Sequence, residues 1–388
     1  MIPPVLPTYA RAPLSFVEGE GAWLVEASGE RYLDLGGGIA VTALGHAHPA
    51  LVAALEAQAR KLWHTSNLYQ IPNQEALAER LVAATFADTV FVTNSGTEAI
   101  ECAIKMARKY FDHNGQPERV RIIAFEGSFH GRSYGAISAA GSEKMVKGFG
   151  PMVPGFDHVP FGDLAAVENA IRPETAAVLI EPIQGEGGII IPPPGYLAEL
   201  RRLCTENRVL LVVDEIQSGL GRTGKLFAYE HEGIRPDVVI LGKALSGGAY
   251  PVSAILADDE VMGVFFPGDH GSTYGGNPLG AAVGRAALAA LVEEGMIENS
   301  ARLGAHMLER LGRLASPHVK EVRGRGLWIG IELHPTAGGA RRFCEALQRE
   351  GVLCKETHDH VIRFAPPLVI TRDEVDWALE RLERVLAG

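Results

Sequence analysis

The chain alternates short, almost continuously apolar runs with longer stretches in which apolar residues recur at helical spacing. Residues 90–93, 121–125, 176–181, 209–213, 238–241 and 252–256 are such runs. Strands buried on both faces of a sheet lose the polar alternation of half-exposed ones. Strands of this kind separated by amphipathic helices predict an α/β fold with a largely parallel sheet. After Asn277-Pro278 the pattern changes. A long Ala/Leu-rich helical region leads to a strand over 322–332, and helices near 338–350 and 371–387 flank a second strand at 360–364. That sequence of elements predicts a smaller, separate α+β domain. The expected division is an N-terminal segment over 1–45, a large α/β domain over 46–280, and a small domain over 281–388.

Length and composition are consistent with this reading. A chain of 388 residues can bury one large core and a smaller one. Hydrophobic content of 47% with 21% charged residues is that of a globular enzyme. A net charge of −11 argues against nucleic acid or an anionic membrane as partner. It leaves anionic substrates open, because a few arginines can dominate one pocket. The start, Met1-Ile2-Pro3-Pro4-Val5-Leu6-Pro7, has neither the basic residues nor the apolar core of a signal peptide, and no run approaches membrane-spanning length. Cys102, Cys204, Cys344 and Cys354 are dispersed, as for reduced thiols. A cytoplasmic protein is expected.

Two strand ends carry candidate chemistry. Val238-Val239-Ile240-Leu241-Gly242-Lys243 places an amine at the end of an apolar run, and Lys is seldom buried without a partner. Burial disfavours its charged form and leaves a nucleophile able to condense with an aldehyde. Taken alone, a strand-end lysine reads more readily as one whose head reaches water. Leu210-Leu211-Val212-Val213-Asp214 ends instead in a carboxylate. Pyridoxal phosphate (PLP) needs both, a lysine to hold its aldehyde and an acid to keep its pyridine nitrogen protonated. Ligands in open α/β sheets sit at strand carboxyl ends, so the pair favours a PLP site.

A phosphate cradle follows from the same reasoning. Phe91-Val92-Thr93-Asn94-Ser95-Gly96-Thr97-Glu98 reads as strand, tight turn and helix start. Ser95 and Thr97 supply hydroxyls, Gly96 allows close approach, and a helix N-terminus offers free N–H groups to a dianion. An ordinary Ser/Thr N-cap explains the same residues equally well.

Five blocks in order then resemble the class III aminotransferases of PLP fold type I: Asn94-Ser95-Gly96-Thr97-Glu98-Ala99, Phe129-His130-Gly131-Arg132, Glu181-Pro182-Ile183-Gln184-Gly185-Glu186, Asp214-Glu215-Ile216-Gln217 and Gly271-Ser272-Thr273-Tyr274-Gly275-Gly276-Asn277-Pro278. With Lys243 they cover nearly the whole chain, and within the class the resemblance is to the acetylornithine and ornithine branch. It implies a mostly parallel seven-stranded sheet and an N-terminal segment packed on the small domain. It implies that Phe129 and His130 lie at the cofactor ring, Phe129 stacking on it, and that Gln217 bonds the ring's phenolic oxygen. It also implies a homodimer in which Thr273 reaches the partner's phosphate.

Two arginines answer a geometric conflict. A donor reacting through its terminal amine keeps its α-carboxylate far from the reacting carbon, whereas 2-oxoglutarate presents its own beside it. Arg suits both, since its planar fork binds carboxylates bidentately. By resemblance Arg132 takes the distal carboxylate and Arg363 the near one, with Glu186 as a retractable cover on Arg363. A permanent Glu186–Arg363 bridge is the alternative. Ile39, where ornithine enzymes tend to carry tyrosine, favours an acylated donor, while Tyr69 lies near another tyrosine of those enzymes. The expected reaction moves the terminal amine of N2-acetyl-L-ornithine to 2-oxoglutarate, a step of arginine biosynthesis. Ornithine δ-transamination is the alternative.

Other motifs carry less. Gly219-Leu220-Gly221-Arg222-Thr223-Gly224 matches a dinucleotide fingerprint in outline, the one feature favouring a Rossmann-type oxidoreductase, but no phosphate-binding helix follows. His46 with His48, and His358 with His360, lack the ligand cluster a metal needs, so no metal is expected. Pro49 after His48 suggests a turn into a helix. Trp63, Trp328 and Phe364 are expected to be packing residues.

Overall fold

The computed structural model describes residues 2–387; Met1 and Gly388, the outer ends of the expected first and last segments, lie outside the described residues. Its centre is a seven-stranded sheet in the order Thr89–Thr93, Ser253–Ala257, Val238–Leu241, Leu210–Asp214, Thr175–Ile180, Arg121–Phe125, Phe156–Val159. Only Ser253–Ala257 opposes its neighbours, so six strands run one way and end along one edge. Ser253 pairs with Thr93 and therefore begins at that same edge.

The apolar runs are explained by which faces they fill. Ala177, Leu179, Leu210, Val212, Val238 and Ile240 pack on one face with helix Gly96–His113. Val178, Ile180, Leu211 and Val213 alternate with them and meet helix Tyr196–Glu206 on the other. With both faces covered, neither set can be polar.

Two four-stranded sheets flank this body. One joins Phe16–Glu20, Trp23–Glu26 and Arg31–Asp34 to Val352–Leu353, so early and late parts of the chain share a sheet. Trp23 adds to that junction, donating from Nε1 to Glu374 at 2.6 Å. The other sheet joins Val319–Gly324, Ile329–Leu333, Val361–Phe364 and Lys355–Thr357.

Several expectations need correction. The strand expected over 322–332 is a hairpin of two strands, turned at Gly326, whose φ of +56° is a conformation that disfavours side chains. The helical region after Pro278 is two helices, Pro278–Glu293 and Met296–Gly312, broken at Gly295 with φ +71°. Strand Phe156–Val159 went unmarked because its sequence, Phe-Asp-His-Val, is half polar at the sheet edge. Trp63 is 65% exposed rather than packed, unlike Trp328 and Phe364. Residues 219–224 form turns and a bend followed only by the short 3-10 helix Ala228–Glu232, and helix Pro49–Ala59 starts at Pro49.

Candidate active site

The shared strand edge opens into a cavity of about 410 Å³. Its lining includes Ser95, Gly96, Thr97, Phe129, His130, Asp214, Gln217 and Lys243. Ser95 and Lys243, 148 positions apart, meet there because each follows a strand of one sheet.

Lys243 stands two residues past Val238–Leu241, where Gly242 lets the chain close on Ser253: a Cβ there would lie 2.7 Å from Ser253 Oγ. Lys243 itself takes a φ of +44°, and its Nζ donates to the carbonyl of Ile39 at 3.1 Å. Burial, then the nearby Arg363 charge, push its pKa down to about 8, against the pull of Glu186, Asp214 and Glu181. The amine is thus poised close to neutrality.

The receiving carbonyl belongs to a left-handed turn. Gly37, Gly38, Ile39 and Ala40 have φ of 54°, 58°, 68° and 60°. A β-branched residue rarely adopts this region, and such strain costs on the order of 1–3 kcal/mol. Asp34 holds the turn in place: its Oδ1 accepts from Gly36 N at 3.0 Å and Gly37 N at 2.8 Å, while Oδ2 meets His46 Nε2 at 3.0 Å. His46 therefore serves a structural pair.

Asp214 closes the neighbouring strand. Its Oδ2 lies 2.8 Å from Nδ1 of His130, both side chains buried, and its Oδ1 accepts from Ile216 N at 3.0 Å. Burial opposes a charged imidazole, yet the bond to Asp214 and the charges of Asp214 and Glu181 outweigh it and raise the His130 pKa. His130 Nε2 has no partner among the described residues. Glu181 is the next layer out. Burial lifts its pKa to about 7, and it accepts from Phe129 N at 3.0 Å and Gly185 N at 3.3 Å, tying the ring-facing segment to the loop bearing Glu186.

At the other end of the cavity, Ser95 caps the 18-residue helix Gly96–His113, its Oγ accepting from Glu98 N at 3.3 Å. The cap and the cradle are compatible, because the hydroxyl proton and the neighbouring N–H groups remain available to an anion. Gly96 and Gly131 are required by crowding. A Cβ on Gly96 would come within 2.5 Å of Ile216 Cδ1, and one on Gly131, whose φ is +126°, would overlap Thr97 Oγ1.

Arg363 is 2% exposed on strand Val361–Phe364. Its Nη1 donates to Glu186 Oε1 at 2.5 Å and its Nη2 to Gln217 Oε1 at 3.0 Å. Lys355 Nζ donates to the second oxygen of Glu186 at 2.8 Å. Burial alone would raise the Glu186 pKa, but Arg363 and Lys355 outweigh it and bring it down to about 2. Arg132 is exposed, its guanidinium 5.4 Å from the Phe129 ring centre. Tyr69 and Thr273 are exposed and do not line the cavity of their own chain, and the side chain of Ile39 is 41% exposed beside it.

Sequence reasoning assigned no role to Lys355 or to Glu181, which it quoted only as the head of a block, and it did not find the Asp214–His130 bond or the Ile39 carbonyl. The first two are ordinary charged residues until folding buries or pairs them. The last is a backbone atom, whose only trace is the run of three glycines before Ile39.

An amine near neutrality, a buried carboxylate and an anion cradle in one cavity, with a covered guanidinium bonded to its lining residue Gln217, define a site for amino-group chemistry on a phosphorylated cofactor. The class-III aminotransferase model matches residues 7–386, and the chain belongs to that family. It is 53% identical to an acetylornithine aminotransferase of Rhodobacter capsulatus, over 100% of this chain and 98% of that one. It is 48% identical to an ornithine aminotransferase of a Geobacillus species, over 98% and 95%. The ornithine aminotransferase of Toxoplasma gondii, solved with PLP at partial occupancy, superposes with a TM-score of 0.96 at 38% identity, covering 98% of this chain and 91% of that one.

Proposed function

We propose that this protein is a PLP-dependent aminotransferase that moves the terminal amine of N2-acetyl-L-ornithine to 2-oxoglutarate, giving N-acetylglutamate 5-semialdehyde and glutamate. The observation that carries this reading is the pairing of a poised Lys243 with a buried Arg363 that Glu186 covers. A covered near arginine suits a donor whose carboxylate lies elsewhere and an acceptor whose carboxylate must displace the cover.

The residues present fit PLP. Lys243 would hold its aldehyde, Asp214 its pyridine nitrogen, and Ser95 to Thr97 its phosphate, with Phe129 against the ring and Gln217 at the phenolic oxygen. PLP, when bound, supplies an electron sink for the charge left when the substrate carbon loses its proton. Lys243 Nζ takes up and returns that proton. Asp214, backed by His130, keeps a positive charge on the pyridine nitrogen. Arg132 binds the distal carboxylate, and Arg363 binds the near one once Glu186 withdraws.

A homodimer completes the reading. Trp63, Leu68, Tyr69 and Tyr274 are 65%, 89%, 69% and 56% exposed on one chain, more apolar surface than isolated solvated positions require. Covering that surface with a second copy would bring Thr273 to the partner's phosphate. Among the described residues no helix is long and apolar enough to cross a membrane. The four free cysteines fit a reducing, cytoplasmic setting.

The test is a panel of N2-acetylornithine, ornithine and succinylornithine as donors to 2-oxoglutarate with PLP-loaded protein. Acetylornithine is expected to give the highest kcat/KM. A clear preference for ornithine would establish the second reading, which the Geobacillus relative supports. Failure of all three would overturn both.

A further inference from the structure

Lys355 belongs to no motif of the site, yet the fold aims it at the gate. It opens strand Lys355–Thr357, which pairs antiparallel with Val361–Phe364, and in that register Lys355 stands directly opposite Arg363. Side chains of directly opposed residues share one face of a sheet. Both cations reach the same carboxylate, Arg363 on Oε1 and Lys355 on Oε2 of Glu186. Thr357, two residues on, donates to the Glu186 carbonyl at 2.6 Å and fixes the backbone from which that carboxylate swings.

Charge counting gives the cluster a direction. Two cations face one carboxylate, so the closed gate holds one positive charge in surplus. A substrate α-carboxylate on Arg363 would cancel it. Glu186 could then leave Arg363 without being stranded, because its other oxygen already has a partner. The two cations differ in the way this exchange needs: the Arg363 side chain is 2% exposed and that of Lys355 is 37% exposed. The inner cation is the one a substrate would take, and the outer one lies toward solvent, where a displaced carboxylate has room.

We infer that Lys355 is the parking cation of the gate, a positioning residue that retains Glu186 while an α-carboxylate occupies Arg363. The inference rests on the reading of Glu186 as a movable cover. In the closed state Glu186 is shared between two cations; in the open state Lys355 is its only one. Removing Lys355 therefore weakens the open state more than the closed one, and the penalty falls on ligands that present an α-carboxylate. A lysine that merely latched the gate shut would act in the opposite sense.

The experiment compares Lys355→Met and Lys355→Arg with wild type as PLP-loaded protein. Single-turnover rates are measured with glutamate and with N2-acetylornithine, and the dissociation constant of glutarate, a dicarboxylate with no reacting group, is measured by calorimetry. Lys355→Met is expected to lower the glutamate-to-acetylornithine rate ratio about tenfold and to weaken glutarate by a similar factor, the worth of one charge-assisted hydrogen bond. Lys355→Arg is expected to restore both. A ratio unchanged or raised in Lys355→Met, or both half-reactions falling together with the melting temperature, overturns the parking role. Wild-type protein inactive with both amino donors overturns the aminotransferase reading instead, so the two failures are distinct.

Discussion

Replacing Glu186 by alanine tests the gate most directly. Glu186 is held at a pKa of about 2, against an ordinary value of 4.5. That difference is roughly 3 kcal/mol in favour of the ionised carboxylate in its place. Because the pKa is depressed, this contribution is complete above 4.5 and is lost as pH falls through about 2, so at neutral pH all of it is at stake. In Glu186→Ala, Arg363 keeps only the Gln217 bond, and the closed site holds two uncovered cations. An incoming α-carboxylate restores what was lost, whereas a terminal-amine donor does not. The ratio of single-turnover rates for glutamate over N2-acetylornithine should therefore rise by up to about a hundredfold, since each 1.4 kcal/mol is roughly tenfold. Stopped-flow absorbance of the bound cofactor measures both rates. A ratio that stays put while the melting temperature drops markedly would mean a fixed bridge, and the switching account would be wrong.

Three further outcomes follow from the site. Lys243→Ala removes nucleophile and base together, and turnover should fall by at least about a thousandfold; a variant keeping a tenth of wild-type turnover would show that another lysine acts. Asp214→Asn retains an acceptor for His130 but removes the buried charge, so the half-reaction at saturating PLP should slow by about a hundredfold or more; unchanged half-reaction rates would make Asp214 structural only. Capture of PLP by protein freed of it should speed up with pH and level off above about 8, where the Lys243 amine becomes mostly neutral. Burial favours the neutral form, so the rate should fall about tenfold per pH unit below that point, and a profile still climbing at pH 10 would contradict the poised amine.

Much of the fold could be read from the sequence because its central strands are buried on both faces. Val238–Leu241 and Leu210–Asp214 have no polar residue before their ends, which makes Lys243 and Asp214 conspicuous. The edge strand Phe156–Val159 lacked that contrast, and the turn within 322–332 was marked only by Gly324 and Gly326, residues that a strand can also hold at a bulge. The site divides the same way. Lys243, Asp214 and the Ser95 turn stand at element ends, where sequence punctuation is strongest. Lys355 owes its place to a cross-strand register between short strands, and Glu181 owes its shifted acidity to burial. Neither register nor burial is written in the residue type.

These hidden contributions make the recognised residues usable. A lysine amine loses its charge only where water is scarce, and in such a place every other charge acts at long range. In the proposed reading Arg363 is a carboxylate site as well as a depressor of the Lys243 pKa, and leaving it bare would strand a buried cation. In that reading Glu186 pairs the buried cation, yet Glu186 fixed permanently would bar the acceptor. The cover must therefore be strong and removable, and strength combined with removal requires a second place for the carboxylate to go. The strained Gly37–Ala40 turn meets a related need on the other side of the lysine: its Ile39 carbonyl accepts a hydrogen bond from Nζ without adding a charge that would pull the amine's pKa back up. A carboxylate in that position would hold the amine more tightly and keep it protonated, defeating the burial that makes Lys243 reactive.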